Sequence, residues 1–214
     1  MNYETARSNM IEQQIRPWNV LEMQTLNALN EVHREDFVPQ DYKDLAFADV
    51  QIAIANNEVM LEPKVGARMI EAMGLTQSSN VLEIGSGTGY LTALLAVICN
   101  QVTSIEINTD LATEAKRNLA IAGFQNTQII ESDCFNFINS STETFDAVLV
   151  TGSVPELQPL FAKLVSGKGC IVGVQGSNPA MQAVILNADG EVKTLFETSV
   201  PRLQNVIEDA SFTF

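Results

Sequence analysis

Long apolar runs, cysteine pairs and histidine are all scarce in this sequence of 214 residues. The longest apolar stretch, residues 90–99, reaches about half of the roughly 20 residues that a membrane-spanning helix requires. Residues 1–14 are polar and lack the apolar core of a signal peptide. Cys99, Cys134 and Cys170 lie far apart, an odd number without the spacing of a metal site. We therefore expect reduced, buried thiols, no bound metal and a cytoplasmic location.

Basic residues are also few, because 12 Lys and Arg stand against 26 Asp and Glu, for a formal net charge of −14. The acidic residues are spread along the chain and do not form a tail. Phosphate backbones and anionic lipid surfaces are bound by clusters of Lys and Arg, so nucleic acids and membranes are not expected partners. The hydrophobic content of 46% is typical of a globular protein, and the length favours one domain.

From about residue 80 onward, short β-rich runs alternate with stretches of helical periodicity. The β-rich runs are residues 81–84, 102–107, 127–131, 147–151 and 170–174. The helix after the second run is expected to begin with Thr109 as its N-cap and to stop at Gly123. Such alternation predicts an α/β fold with a mostly parallel, Rossmann-like sheet and helices on both faces.

The two ends of the chain depart from this alternation. Residues 181–187 and 191–197 flank Asp189-Gly190, which predicts a hairpin and therefore antiparallel strands at the C-terminal edge. Residues 21–32 and 63–73 are predicted to be helical, whereas residues 51–61 show no clear pattern. We expect residues 1–79 to form a cap on the cofactor edge of a core formed by residues 80–214, within one structural domain.

The most informative segment is a predicted strand that runs into Gly85, Gly87 and Gly89 and then directly into an amphipathic helix. Glycine is required where the backbone turns tightly or approaches a ligand closely. A glycine-rich loop alone is a weak motif, but its position between a strand and a helix favours a ligand site over a simple turn.

Three acidic residues are expected beside this loop, because the carboxyl ends of parallel strands meet at one edge of a sheet. Glu83 would repel a pyrophosphate but would suit a ligand with an ammonium group. Glu106, at the end of the second strand, could accept hydrogen bonds from both hydroxyls of a ribose, and Asp133 could accept one from an adenine amino group. Each could equally be a solvated loop residue. Together they fit S-adenosylmethionine better than NAD, whose motif places the third glycine one position later.

Residues 83–89 and Glu106 resemble the corresponding segments of class I S-adenosylmethionine-dependent methyltransferases. Other segments are similar to the protein-L-isoaspartate O-methyltransferase family, namely residues 10–15, 20–21, 34–39, 145–151, 155, 164, 167, 169 and 200–201. The resemblance implies a cytoplasmic enzyme that methylates the side-chain carboxylate of isoaspartyl residues in damaged proteins. It implies cofactor contacts from Glu83, Gly85, Ser86, Gly87, Gly89, Glu106, Ile107, Asp133, Cys134 and Thr151.

The chain departs from this family where the methyl acceptor is expected. The family has a Gly-x-Gly-Gln-Thr-Ile-Ser-x-Pro segment, whose hydroxyl residue meets the substrate carboxylate. Aligned on Pro63, this chain has Leu61 at the serine position and Glu58 at the glutamine position. We expect Glu58, Val59, Met60, Leu61 and Glu62 to face the substrate, and we identify no catalytic residue. Leucine cannot donate a hydrogen bond, and nearby carboxylates would repel a second anion, so weak isoaspartyl activity is expected.

Other functions remain open at this point. The acceptor could be a small molecule or another protein group, or the chain could bind S-adenosylmethionine without transferring its methyl group. An NAD-dependent oxidoreductase is the least favoured alternative. Residues 151–154, Thr-Gly-Ser-Val, lack the Asn/Asp-Pro-Pro-Tyr motif of amino-directed nucleic-acid methylases.

Overall fold

The computed structural model describes residues 2–157 and 161–206. Its N-terminal part contains three α-helices and one small hairpin: α1 (Tyr3–Met10), α2 (Met23–Glu31), β1 (Ile52–Ala53), β2 (Val59–Met60) and α3 (Pro63–Ala72). Both helices predicted here are present: α2 begins two residues and ends one residue inside the predicted range, and α3 begins as predicted and ends one residue early. Proline at the first position of α3 suits a helix start, because its missing N–H would have no partner there.

A seven-stranded sheet forms the rest of the fold. Its strands are β3 (Asn80–Ile84), β4 (Gln101–Glu106), β5 (Thr127–Glu131), β6 (Phe145–Val154), β7 (Val165–Ser177), β8 (Ala180–Asn187) and β9 (Val192–Glu197). They lie in the order β5-β4-β3-β6-β7-β8-β9. Strands β3 to β7 pair in parallel, and β8 and β9 are antiparallel to their neighbours. The predicted mixed sheet and its C-terminal hairpin are confirmed.

Helices α4 (Tyr90–Ile98), α5 (Thr109–Ile121) and α6 (Cys134–Ser140) connect the parallel strands. The predicted N-cap of α5 was wrong by one residue. Asn108 is the cap, and its side-chain oxygen accepts hydrogen bonds from the backbone N–H groups of Asp110 and Leu111 at 3.0 and 3.3 Å. Gly123 follows the helix with a φ of +86°, as its predicted role as a stop requires.

Alternate residues of β6 divide the core into two layers. Ala147 and Leu149 pack on one face of the sheet, together with α4, α5 and the N-terminal helices. Val148 and Val150 pack on the opposite face, which α6 covers. Helices therefore lie on both faces, as predicted. In the described part of the chain, no helix combines the length and apolar character needed to span a membrane.

A buried ion pair lies within the N-terminal segment. Arg7 on α1 donates from Nη2 to Oε1 of Glu35 at 2.6 Å, and the two residues are only 5% and 4% exposed. The hydrophobic cluster around the N-terminal helices continues without interruption into α4 and the sheet. This pair therefore lies in the same core as the sheet.

We predict that Glu35→Ala lowers the free energy of unfolding by about 3–5 kcal/mol, because Arg7 would be left buried without a compensating charge. Urea denaturation measures the change. Glu12→Ala is the control, since Glu12 pairs with Arg16 at 3.4 Å on the surface and should cost about 1 kcal/mol or less. Equal losses in the two variants would contradict the prediction.

Candidate active site

A cavity lies at the carboxyl ends of β3 and β4, beside the point where the strand order reverses between β3 and β6. This is the position where open α/β sheets bind ligands. Its floor is formed by residues 84–88, Ile105, Glu106, Ile107, Ser132, Cys134, Thr151 and Gly152. Among the predicted cofactor residues, Gly85, Ser86, Gly87, Glu106, Ile107, Cys134 and Thr151 are brought together here.

Residues 85–89, the glycine loop, carry φ values of +93°, +52° and +91° at their three glycines. At Gly85, a Cβ atom would lie 2.3 Å from Oγ1 of Thr151, which itself donates to the carbonyl oxygens of Ile84 and Gly85. At Gly87, a Cβ atom would enter the cavity, 3.4 Å from Cδ1 of Ile54. Two of the glycines therefore shape the cavity, one through Thr151 and one directly.

The third glycine lies against a neighbouring helix, and its contact with a cofactor stays a prediction. Gly89 does not line the cavity, and a Cβ atom there would lie 3.3 Å from Cα of Ala115 and from Cγ of Leu119 on α5. Its missing side chain allows α4 and α5 to pack closely. This is a packing contact, like that of the third glycine in dinucleotide-binding loops.

Glu106 holds the glycine loop from the end of β4. Its Oε2 accepts a hydrogen bond from the backbone N–H of Gly87 at 2.9 Å and one from the hydroxyl of Ser86 at 3.5 Å. Its Oε1 accepts from the N–H of Asn108 at 3.0 Å. Burial raises the pKa of Glu106, and the hydrogen bonds from Asn108 and Gly87 oppose this effect. The carboxylate therefore both orders the loop and faces the cavity.

Residues 52–60 form a covering hairpin above this floor. Ile52 pairs with Met60, and Ala53 pairs with Val59. Asn56 and Asn57 turn the chain with φ values of +60° and +62°, a conformation that asparagine tolerates better than most residues. The hairpin brings Ile54, Glu58, Val59 and Met60 to the cavity, and Leu61 follows it there. Four of the five predicted substrate-facing residues thus line the cavity.

Glu62, the fifth, does not. Its carboxylate accepts hydrogen bonds from Nε2 of Gln51 at 3.3 and 3.4 Å, and the residue precedes the first turn of α3. The chain direction changes here, because Pro63 begins a helix. This turns Glu62 away from the wall that Val59, Met60 and Leu61 form.

Residues 201–204 form a second wall that the sequence analysis did not identify as part of the site. This C-terminal wall is attached to β6, where Ser153 N–H donates to Pro201 O at 2.8 Å and Leu203 N–H donates to Ser153 O at 2.9 Å. Gln204 donates from Nε2 to Oε1 of Glu58 at 2.8 Å, which joins this wall to the covering hairpin. No local pattern in the sequence indicates such a contact, because it joins segments that are distant in the chain.

Arg34 was also missed as a site residue. It lines the cavity although the residue is only 1% exposed. Its Nε donates to Ala46 O at 2.9 Å, and its Nη2 donates to Leu61 O at 2.8 Å. Its guanidinium carbon lies 4.6 Å from the ring centre of Tyr90. In the sequence, Arg34 was noted only as part of residues 34–39, which resemble a segment of the family.

Comparison with known proteins gives this geometry a context. The model of the protein-L-isoaspartate(D-aspartate) O-methyltransferase family matches residues 5–202. The chain belongs to this family. It is 34% identical to the protein-L-isoaspartate O-methyltransferase of Koribacter versatilis. The aligned 179 residues cover 83% of this chain and 79% of that relative. The corresponding protein of Methanoregula boonei is 33% identical over 185 residues, covering 86% of this chain and 84% of its own.

A solved structure supports the same fold for this family member. A crystal structure from Plasmodium falciparum, described as a protein-L-isoaspartate O-methyltransferase in complex with S-adenosyl-L-homocysteine, has a TM-score of 0.82 to this chain. The match covers 95% of this chain and 99% of that chain at 18% sequence identity. The predicted fold class and the family resemblance are confirmed.

Two acidic residues that were predicted to contact the cofactor, Glu83 and Asp133, lie outside the cavity lining. Glu83 is fully buried on the sheet face that carries α4, and its Oε2 accepts from the hydroxyl of Thr92 at 2.5 Å. Strand alternation explains this, because the neighbouring Ile84 is the residue that reaches the cavity. Burial raises the pKa of Glu83 to about 7, although the hydrogen bond from Thr92 lowers it. Glu83 is therefore held inside the sheet by Thr92, and its contact with a cofactor stays a prediction.

Asp133 caps α6 instead of lining the cavity. Its Oδ1 accepts from the backbone N–H groups of Phe135 and Asn136 at 2.7 and 3.2 Å. Its Oδ2 accepts from Nδ2 of Asn205 at 2.6 Å. Aspartate is a favoured N-cap, and this use could have been read from its position before a helix. In residues 2–157 and 161–206, no group of three or more His, Cys, Asp or Glu side chains is arranged to hold a metal.

We predict that the contribution of Glu83 to stability falls as the pH rises from about 4.5 to 7, because the native state holds a proton on Glu83 that the unfolded chain has released. In Glu83→Gln this contribution is absent. Relative to wild type, the variant should gain about 2–3 kcal/mol of unfolding free energy between pH 5 and pH 8. Urea denaturation across this range measures the difference. A pH-independent difference between the two proteins would rule the interpretation out.

Proposed function

We propose that the protein transfers the methyl group of S-adenosylmethionine to the side-chain carboxylate of isoaspartyl residues in damaged proteins. The observation that carries this proposal is that the glycine loop and Glu106 line one cavity beneath the covering hairpin. By its resemblance, this hairpin corresponds to the acceptor segment of the family. The relatives named above, from Koribacter versatilis and Methanoregula boonei, support the same activity. The cytoplasmic location stays a prediction.

The residues of the cavity fit the cofactor. The missing Cβ of Gly87 leaves room between the loop and Ile54, where a larger side chain would intrude. Both oxygens of Glu106 lie at the end of β4, the position from which an acid reaches ribose hydroxyls. The hydroxyl of Thr88 is buried at the cavity and has no hydrogen-bond partner among the described residues. We assign the amino-acid part of the ligand to the loop, its ribose to Glu106, and its adenine to Ile107 and Cys134.

The proposed reaction needs no general base. S-adenosylmethionine supplies an already activated methyl group when bound. An ionised carboxylate is itself the nucleophile, so the protein's task is to align the acceptor and exclude water. The covering hairpin and the C-terminal wall suit this task, because the hydrogen bond from Gln204 to Glu58 joins them beside the cavity.

One observation favours a second candidate, methylation of a different acceptor. Leu61 lines the cavity and is 7% exposed, so this wall is apolar at the position where the resemblance predicts a hydroxyl residue. The acceptor could then be a small molecule, or another group of a protein, whose apolar atoms contact Leu61. If the acceptor were an amine or a hydroxyl, Glu58 could orient or deprotonate it.

Glu106→Ala should weaken S-adenosylmethionine binding about 10- to 100-fold, the scale of a charge-assisted hydrogen bond. Glu131→Ala is the matched control, because Glu131 ends the neighbouring strand, carries the same charge and does not line the cavity. Isothermal titration calorimetry on folded protein gives both affinities. Absence of S-adenosylmethionine binding by the wild type would refute the proposed function.

The double variant Leu61→Ser with Glu58→Gln should raise isoaspartyl methylation about 10- to 100-fold, because it restores a hydroxyl donor and removes a carboxylate from the cavity. The assay is methyl-ester formation on an isoaspartyl peptide, with the ordinary aspartyl peptide as the substrate control. Glu143→Gln is the variant control, since Glu143 is exposed and lies outside the cavity lining. Full turnover by the wild type, unchanged in the double variant, would show that the departure at Leu61 has no catalytic consequence.

A further inference from the structure

The acceptor side of the cavity contains a buried cation whose role is not explained by the fold alone. Arg34 is among the largest fully buried side chains of the described residues, and it borders the cavity beside Leu61 and Tyr90. Arginine remains protonated in proteins, so its positive charge stays beneath the acceptor segment.

The partners of Arg34 are neutral. Its Nε and Nη2 donate to the backbone carbonyls of Ala46 and Leu61, and its guanidinium lies over the ring of Tyr90. These contacts fix its orientation and satisfy two donor directions, but none of them supplies a full negative charge. Burial raises the pKa of Tyr90, which keeps its phenol neutral.

The other buried arginine of the N-terminal segment, Arg7, has a carboxylate partner. Arg7 is paired with the carboxylate of Glu35, whereas none of the ion pairs found among residues 2–157 and 161–206 includes Arg34. Glu62 acts on Arg34 through space, but its carboxylate accepts hydrogen bonds from Gln51. Burying a charge without an ion pair is costly. An anion in the cavity would therefore be stabilised beside Arg34.

We propose that Arg34 forms an anion subsite at the acceptor end of the cavity, and that its ligand is the carboxylate that receives the methyl group. This inference rests on the proposed function and specifies how a carboxylate is selected although Leu61 replaces the hydroxyl of the family. Arg34 also donates to the carbonyl oxygen of Leu61. One side chain therefore both positions Leu61 at the cavity and binds the acceptor carboxylate.

The charge of the acceptor changes during the reaction, which gives the subsite a kinetic signature. A carboxylate is negative, whereas its methyl ester is neutral, so Arg34 binds the substrate more tightly than the product. The acceptor still carries part of its negative charge in the transition state, and an interaction made with both the bound substrate and the transition state changes KM more than kcat. Loss of Arg34 should therefore raise the KM for the acceptor and leave kcat less affected.

The first measurement uses the wild-type protein saturated with S-adenosylhomocysteine. Binding of an isoaspartyl peptide is compared with binding of its isoasparaginyl counterpart, in which a neutral amide replaces the carboxylate. Succinate and succinamide form a second, smaller pair of probes. We expect the carboxylate of each pair to bind at least tenfold more tightly than the amide. In an NMR spectrum of the protein, succinate should shift the Nε–H resonance of Arg34. Equal binding within both pairs would overturn the subsite.

The second measurement uses variants. Arg34→Gln should abolish the preference for the carboxylate and raise the acceptor KM at least tenfold, whereas Arg34→Lys, which keeps the charge, should retain part of both. Arg68→Gln is the matched control, because Arg68 donates to Asn19 O on the surface and its loss changes the net charge equally. An unchanged preference in Arg34→Gln would make Arg34 a structural residue only.

Failure of the subsite and failure of the proposed function have different outcomes. The affinity for S-adenosylmethionine and the thermal unfolding of each variant are measured, so that a misfolded variant is recognised. If Arg34→Gln does not fold, the binding of the paired probes to the wild type decides whether the subsite exists. Absent S-adenosylmethionine binding by the wild type would refute the methyltransferase function. Intact cofactor binding and methyl transfer without discrimination between carboxylate and amide would refute only the role of Arg34.

Discussion

The left-handed backbone at Gly85, Gly87 and Gly89 is the constraint on which the rest of the site depends. It turns the chain within a few residues from the end of β3 into α4, a path that residues with a Cβ atom rarely adopt. Each glycine is required for a separate reason: Thr151 occupies the space beside the first, the cavity opens at the second, and α5 packs against the third. One tight turn thus couples the sheet, a helix contact and the ligand cavity.

Glu106 shows how a functional carboxylate can also be structural. It accepts hydrogen bonds from the glycine loop and from the start of the following turn, so the end of β4 and the loop are held as one unit. Burial disfavours its ionised form, and the backbone N–H groups compensate for part of that cost. A ligand hydroxyl would therefore meet an acceptor whose position is already set before binding.

The acceptor side is built differently, from segments that are far apart in the chain. Arg34 binds the carbonyl of Leu61, and Gln204 binds Glu58. The hydrophobic cluster that joins the N-terminal helices to the sheet includes Leu61, whereas Leu203 of the C-terminal wall packs against the cluster on the opposite face. Changes at Leu61 or Glu58 alter the chemistry of the wall without altering the floor. A family fold can in this way keep one cofactor cavity while its acceptor surface diverges.

The sequence by itself determined the parallel sheet, its antiparallel edge and the glycine loop, because these depend on short-range periodicity and on backbone conformations that few residues tolerate. It also determined the family, through motifs spread along most of the chain. Only the tertiary structure decided which polar groups face the cavity. Glu83 and Asp133 carry the right chemistry at strand ends, yet side-chain alternation buries one and helix capping occupies the other. Arg34 and residues 201–204 enter the site through contacts between distant segments, which no local pattern records.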